Sequence, residues 1–362
     1  MNERLAALRR LLVARKVDAA LVSDSADIRY LSGFRGDDAI LIVSADQALI
    51  CGDSRFWAQI EAEAAGFALV RSEGGDALVA DALVTWAAGD GRDERERSLG
   101  FQGAVVSYAG HRRLRGRFAG RLRDLGEALS ALREVKDAAE LRCMKAAAAL
   151  SDVALEAVVA EGLRGRSEAA IAWAVEQALR AAGAEAPAFA TIVAAGPHGA
   201  LPHAIPGDRV VADGDLVVID MGARLDGYHS DITRTFGVGR LDADQHAVYE
   251  IVLTAQLAGL EAVRDGVAAR AVDAAARDVI AAAGYGEHFG HGTGHGVGLE
   301  IHEGPRVGRR SRDRLRRGMV VTVEPGVYLE GRFGVRIEDT LVVTADGCER
   351  LTLFPKELRI VG

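Results

Sequence analysis

Four acidic residues stand where a buried strand would be apolar. Asp220 closes the run LVVIDMG, Glu324 closes VVTVEPG, and Glu338 sits mid-strand in VRIEDTLVV. Asp231 follows in GYHSDITRT, eleven residues after Asp220, which suits the second strand of a hairpin. Alternation puts Glu324 on one face with Thr322 and Val320, and Glu338 on one face with Arg336 and Thr340. Taken singly, an Asp at a strand end is a turn former or helix cap, and a mid-strand Glu faces solvent. Taken together, with a histidine and against strong apolar runs, they do not fit a solvated surface. Charged groups are buried only when paired or bound to metal. Four carboxylates converging on one cavity repel one another. Two divalent cations would neutralise them. An oxygen-rich set with one imidazole suits Mn²⁺, Co²⁺ or Zn²⁺, and the carboxylate count favours Mn²⁺.

The histidines stand in FGHGTGHGVGLEIHE, Phe289 to Glu303, where Gly occupies every second position from Gly290 to Gly298. This is not a G-x-G-x-x-G nucleotide loop, because the third glycine would fall on His295, Val297 or Leu299.

The elements that must position these groups fall into two parts. In the first third, Leu5 to Lys16 reads as helix, DAALVS and AILIVS as short buried strands, and DSRFWAQIEAEAAG as a helix ending at Gly66. ALVADALVTWAA is a further helix, GDGRDERERS a charged loop and LGFQGAVVS a strand. A long Ala-rich helix then starts within SALREVKDAAELRCMK, and the domain boundary falls near Ala131 to Asp137. Beyond it, helices at Ser167 to Ala182, Asp242 to Asp265 and Ala268 to Ala283 alternate with FATIVAAG, DLVVIDMG, DITRTFGVG, GMVVTVEPGVYL and GVRIEDTLVVT. Strands joined in pairs by turns argue for antiparallel hairpins rather than a doubly wound parallel sheet.

Length and composition exclude several classes. The 362 residues provide for one large or two ordinary domains. A net charge of −8 disfavours nucleic acid and anionic membranes as partners. Cys51, Cys143 and Cys348 are far apart, which argues against a disulfide framework or a structural zinc site. The N-terminus carries charge every few residues, unlike a signal peptide, and no apolar run is long enough to span a membrane, so a cytoplasmic location is expected.

Asp220, Asp231, His295, Glu324 and Glu338, in this order, resemble the five metal ligands of the pita-bread metallopeptidases. The matching segments are VVIDMGARLDGYHSDITRTF, GHGTGHGVGLEIHEGP, VVTVEPGVY and GVRIEDTLVV. The family includes methionine aminopeptidase, aminopeptidase P and prolidase, and the resemblance covers about residues 135 to 360. It implies an α/β (α+β) fold. A small creatinase-like domain, residues 1–132, would precede a pita-bread catalytic domain, residues 133–362, whose curved antiparallel sheet is covered by helices. It also implies two divalent metal ions, with Glu324 as both ligand and general base. The glycines would then clear side chains away, so that His295 reaches a metal and His291 and the loop backbone approach a substrate.

The N-terminal α/β domain is similar to that of the Xaa-Pro peptidases. His203 in ALPHAIPGDRVV and His302 in IHEGP match their two substrate-side histidines, which would stabilise the oxyanion and the proline side. Arg336 also fits them, as a partner for a ligand carboxylate. Asp27, Arg29 and Tyr30 in SADIRYLSGF resemble the D-x-R-Y signature of small bacterial aminopeptidases P, and only five residues separate Phe34 from Ile40. The expected activity is therefore an Xaa-Pro aminopeptidase, acting on peptides with Pro at the second position. Xaa-Pro dipeptidase is the alternative, because Arg306 could bind a dipeptide carboxylate. A non-catalytic peptide-binding module is the remote one, because such proteins lack ligands. Small members of the family are homodimers, which is the assembly the resemblance implies.

Overall fold

Short runs of Val, Ile, Leu and Ala, too brief for helices, become strands in the first part of the chain. The computed structural model describes residues 3–89 and 92–362, and the chain divides into two units, Met1–Arg133 and Glu134–Gly362. In the first unit six strands lie in the order Ala68–Arg71, Ala48–Gly52, Ala39–Ser44, Ala19–Val22, Ser98–Phe101 and Arg121–Asp124. Ala19–Val22 and Ala39–Ser44 pair antiparallel, Ala19 opposite Ser44, and every residue of both is buried. Leu78, Leu83 and Trp86 of the helix Ala77–Ala88 and Leu114 of the helix Tyr108–Arg117 join the core on that sheet.

Several local expectations shift here. The strand anticipated in LGFQGAVVS ends at Phe101, and Ser107 instead caps the Tyr108–Arg117 helix by accepting from Gly110 N. Its four arginines on ten residues hid an amphipathic pattern. The helix expected to end at Gly66 covers only Trp57–Glu63. The Ala-rich helix starts at Ala138, because Asp137 and Glu140 form a capping box there. Before it, Ser130–Leu132 form a short 3-10 turn and Val135 is bridged to Met319. Of the charged loop, Asp90 and Gly91 lie outside the described residues.

The second unit is built from two helix pairs and antiparallel sheets. Ala138–Ala160 and Glu168–Ala182 pack on a sheet ordered Ile360–Val361, Ile232–Val238, Leu216–Met221, Ile192–Ala195. Ala243–Ala262 and Ala269–Ala282 cover the second sheet, ordered Glu303–Val307, Gly294–Gly296, Val320–Val323, Asp339–Val343, Cys348–Arg350, and the hairpin Gly326–Leu329/Phe333–Arg336. All pairings in these three sheets are antiparallel except Ile360–Val361 against Ile232–Val238. Helix spacing explains the burial: Val272, Ala276 and Ile280 recur every fourth residue and are fully buried. Among the described residues no helix is long and apolar enough to cross a membrane.

One buried charge pair fastens the start of this unit. Lys136 Nζ donates to Glu303 Oε2 at 3.1 Å, with the side chains 1% and 2% exposed. Replacing the lysine withdraws the charged partner from a carboxylate that stays buried. Lys136→Met should therefore lower unfolding stability by about 3–5 kcal/mol, read as a shift of the urea midpoint at unchanged slope. A loss below about 1 kcal/mol would show that Glu303 is compensated by other donors.

Candidate metal centre

Two sheets meet at the site, and each delivers acids from a strand end. Asp220 lies in Leu216–Met221, opposite Thr233, and Asp231 immediately precedes Ile232–Val238. Glu324 follows Val320–Val323, and Glu338 precedes Asp339–Val343. Val323 pairs with Asp339, so Glu324 and Glu338 stand where the ladder opens. Glu338 is thus not mid-strand, as its apolar context suggests. The chain leaves one hairpin at Arg336 and joins the other sheet at Asp339. In that break Glu338 N turns to Thr233 O, 3.1 Å away. The break is what lets Glu338 face the other sheet's acids.

His295 sits at the centre of Gly294–Gly296. Its Nδ1 lies 3.0 Å from Gly296 O, which holds the proton on Nδ1 and leaves the Nε2 lone pair free. Nε2 faces Asp231 Oδ2 at 3.6 Å and Glu324 Oε1 at 3.5 Å. Asp231, His295 and Glu338 each bring one ligand atom within 4.8 Å of the others and could hold a metal ion.

Burial, then the charges of Glu338, Asp220 and Glu324, push the Asp231 carboxyl well above its ordinary range. Burial, Glu324 and Asp220 do the same to Glu338, and burial raises Glu324. Asp220 Oδ2 takes a 2.5 Å bond from Arg336 Nη2, while its Oδ1 is buried with no hydrogen-bond partner among the described residues. An orphaned carboxylate oxygen amid acids that resist ionising suits a divalent cation. The donor set therefore fits divalent metal.

The surrounding donors form one connected chain. His291 Nε2 meets Tyr328 Oη at 2.9 Å, Arg336 Nη1 donates to Tyr328 Oη at 2.9 Å, and Arg336 reaches on to Asp220. Thr233 Oγ1 donates to Glu338 Oε2 at 2.6 Å and accepts from Arg336 Nε at 3.2 Å. The His302 ring stands edge-on to His295, centroids 4.4 Å apart. Burial, then His295 and His203, lower the basicity of His302. His203 itself is exposed on the loop after Gly196–Ala200, next to Pro202, whose carbonyl accepts from Arg336 Nη1 at 3.0 Å.

A family model of the metallopeptidase family M24 matches residues 142–345, and one of the creatinase/prolidase N-terminal domain matches residues 4–135. The chain belongs to metallopeptidase family M24. An Xaa-Pro dipeptidase of Pyrococcus horikoshii is 46% identical over 63% of this chain and 65% of that one. The solved Xaa-Pro dipeptidase of Bacillus anthracis superposes with a TM-score of 0.94 at 36% identity, covering 99% of both chains. An X-Pro aminopeptidase of Thermotoga maritima gives 0.87 at 37% identity, covering 97% of this chain and all of that one. The fold is the mixed α/β arrangement expected: a creatinase-like domain before a pita-bread one.

Within this M24 site Gly294, Gly296 and Gly298 also have a packing reason. A Cβ on Gly294 would lie 2.1 Å from Thr322 O, and one on Gly296 2.0 Å from Gly304 O. The glycine face is thus packed against neighbouring strand backbones, and the opposite face carries His295. Gly298 is similarly filled by the Glu303 carboxylate, 2.6 Å away.

Three contributors escaped the sequence reading. Thr233 lies two residues after Asp231, so alternation alone carried its signal. Tyr328 shares a face with Glu324 and Gly326 by the same rule, and a Cβ on Gly326 would meet its hydroxyl at 2.6 Å. Glu168, fully buried at the start of a helix, accepts from Ala195 N at 2.8 Å and Gly207 N at 3.2 Å and sits 2.8 Å from His198 Nδ1, closing both ends of the His203 loop. It looked like an ordinary first-turn acid.

Asp27, Arg29 and Tyr30 share the helix Ser25–Ser32 of the N-terminal unit. Asp27 is buried against Arg133 Nε at 2.6 Å and Gln102 Nε2 at 2.6 Å, and Tyr30 Oη donates to Leu132 O at 2.9 Å. Asp27 and Tyr30 fasten that helix, and Arg29 is half-buried in its last turn.

The raised carboxyls give a test with a definite sign. A group whose folded pKa is raised contributes stability below its unfolded pKa and loses it as pH climbs through the folded value. Chelated protein should therefore lose thermal midpoint from about pH 5 to about pH 8, while saturating divalent ion raises the midpoint and flattens the trend. A midpoint that climbs over that range in chelator would contradict mutual strain among these acids.

Proposed function

We propose that the protein is a metal-dependent Xaa-Pro dipeptidase, in place of the aminopeptidase activity that the sequence alone favoured. One observation carries this choice. Arg306 is the register partner of His295 between Gly294–Gly296 and Glu303–Val307. Directly opposed residues of an antiparallel pair present their side chains on one face. Arg306 is exposed, and among the described residues its guanidinium has no ion-pair partner. A free cation beside the metal histidine is suited to the C-terminal carboxylate of a dipeptide. The dipeptidase names of the Pyrococcus and Bacillus anthracis proteins support the same reading.

Asp220, Asp231, His295, Glu324 and Glu338 would hold two divalent ions, a donor set suited to Mn²⁺ or Co²⁺. When bound, the ions supply the charge that acidifies water and polarises the Xaa carbonyl. Glu324 takes the proton of the attacking water, a role for which a carboxyl raised by burial is suited. His302, kept neutral by burial and by His295 and His203, can donate a hydrogen bond to the developing oxyanion. The proline nitrogen has no N–H and must gain a proton on leaving, a role we assign to His203 on its exposed loop. His291, braced by Tyr328, borders the substrate. Arg336 fixes Asp220 so that one oxygen stays free.

Chelation should abolish turnover, Mn²⁺ or Co²⁺ should restore it, and Glu324→Gln should fold and bind metal with no turnover. Full activity in chelator would sink the metal mechanism. Selectivity is settled by kcat/KM for Ala-Pro, Ala-Pro-Ala and a pentapeptide beginning Ala-Pro. The dipeptide should lead by roughly tenfold or more, and Arg306→Ala should remove most of that lead by raising KM for Ala-Pro. Rapid cleavage of the two longer peptides with Ala-Pro left intact would restore the aminopeptidase reading.

A further inference from the structure

The stretch from Phe289 to Thr293 carries His291 but belongs to no strand. It lies between the turn Gly286–His288 and the strand Gly294–Gly296. A Cβ at Gly290 would touch nothing within 4 Å, so packing does not hold that residue. Phe289 and Thr293, at the two ends of the stretch, are buried, so their backbone groups must be satisfied within the protein.

A single ion pair on the helix Ala269–Ala282 does this. Arg277 Nη1 donates to Phe289 O at 2.8 Å, and Nη2 donates to His291 O at 2.7 Å. Its guanidinium also lies 4.0 Å from the Phe289 ring centroid. Asp273 Oδ1 accepts from Thr293 N at 3.2 Å and Thr293 Oγ1 at 2.9 Å. The two side chains lock each other through bonds of 2.9 and 2.8 Å and are 8% and 2% exposed. Thr293 O, in turn, accepts from Glu324 N at 2.8 Å.

We infer that Asp273 and Arg277 are positioning residues that set His291 against Tyr328 and steady the backbone of Glu324. The inference rests on the substrate-side role given to His291 above. A buried ion pair is a poor way to gain stability, since apolar residues of the same volume do as well or better. What it offers is direction. The planar fork of Arg277 addresses two carbonyls two residues apart, and the carboxylate addresses the amide and hydroxyl of the next residue but one. Lysine carries the same charge but not the fork. The segment is thus fixed from behind at four points, with His291 left to face the substrate side.

Arg277→Lys is the direct variant, tested in a cycle with His291→Ala. In the wild-type background kcat on Ala-Pro should fall roughly tenfold or more, with Mn²⁺ affinity by calorimetry changed less than about threefold. In the His291→Ala background the same substitution should cost less than about threefold. Equal losses in both backgrounds, or an unchanged kcat, would overturn the inference. Should Arg277→Lys fail to fold, Thr293→Val removes only the hydroxyl bond to Asp273 and enters the same cycle with the same criteria. Amide exchange judges the idea without turnover. The peptide spanning 289–293 should exchange faster in either variant while the helix Ala138–Ala160 is unchanged. Unaltered exchange there would overturn it, even if Ala-Pro proved not to be a substrate.

Discussion

Crowding four carboxylates into a buried space is the constraint on which the rest of this unit depends. Arg336 meets it from the protein's side. It is 3% exposed, touches Asp220, Thr233, Tyr328 and the carbonyl of Pro202, and draws down Asp231, Glu324 and Glu338 against their burial. One cation cannot balance four anions. The deficit is what a pair of divalent ions would fill, and it explains why the neighbouring donors are neutral: two threonine hydroxyls, a tyrosine and backbone groups. A second arginine pointing into the cavity would compete with metal for the same oxygens.

The contrast between Glu338 and the next residue shows how locally this is set. Glu338 is pushed up by burial and by other acids. Asp339 is equally buried, yet Arg234 and Lys356 overcome the cost of burial and hold it down. Arg234 Nη2 lies 2.7 Å from Asp339 Oδ1 and Lys356 Nζ 2.9 Å from Oδ2. Alternation sends the two side chains to opposite sides, one into the cavity and one into a fully paired anchor behind it. Adjacent acids thus divide the work of binding and of bracing.

The acids themselves were legible because a carboxylate in an apolar run violates a strong rule, and four such violations in order, with a histidine between them, leave few explanations. The helices of the second unit were legible from their ranges of helix-forming residues, as Ser167 to Ala182 shows against the observed Glu168–Ala182. What was hidden had ordinary appearances. Tyr328 and Thr233 are common strand residues, and only their partners across the sheets give them a role. Glu168 and Asp273 are acids on helices, where solvent is the default neighbour. The helix Tyr108–Arg117 was masked by its four exposed arginines, because Leu114 is the one residue it buries. The break at Glu338 could not be read locally, because it depends on a hydrogen bond to a strand more than a hundred residues away.

The backbone contacts of Gly294 and Gly296 restrict how this cavity can diversify. On that side the wall is one peptide thick and backed by other backbones, so no side chain can be exchanged to widen, narrow or recharge it. Under the proposed function, variation in substrate preference among descendants of such a protein would have to be written elsewhere: in the loop around His203, in the turn bearing His302 and in the exposed side chains, such as Arg306, of the neighbouring strand. A library aimed at new specificity has its useful positions there, and the glycine-backed strand behaves as a fixed reference surface against which those walls are tuned.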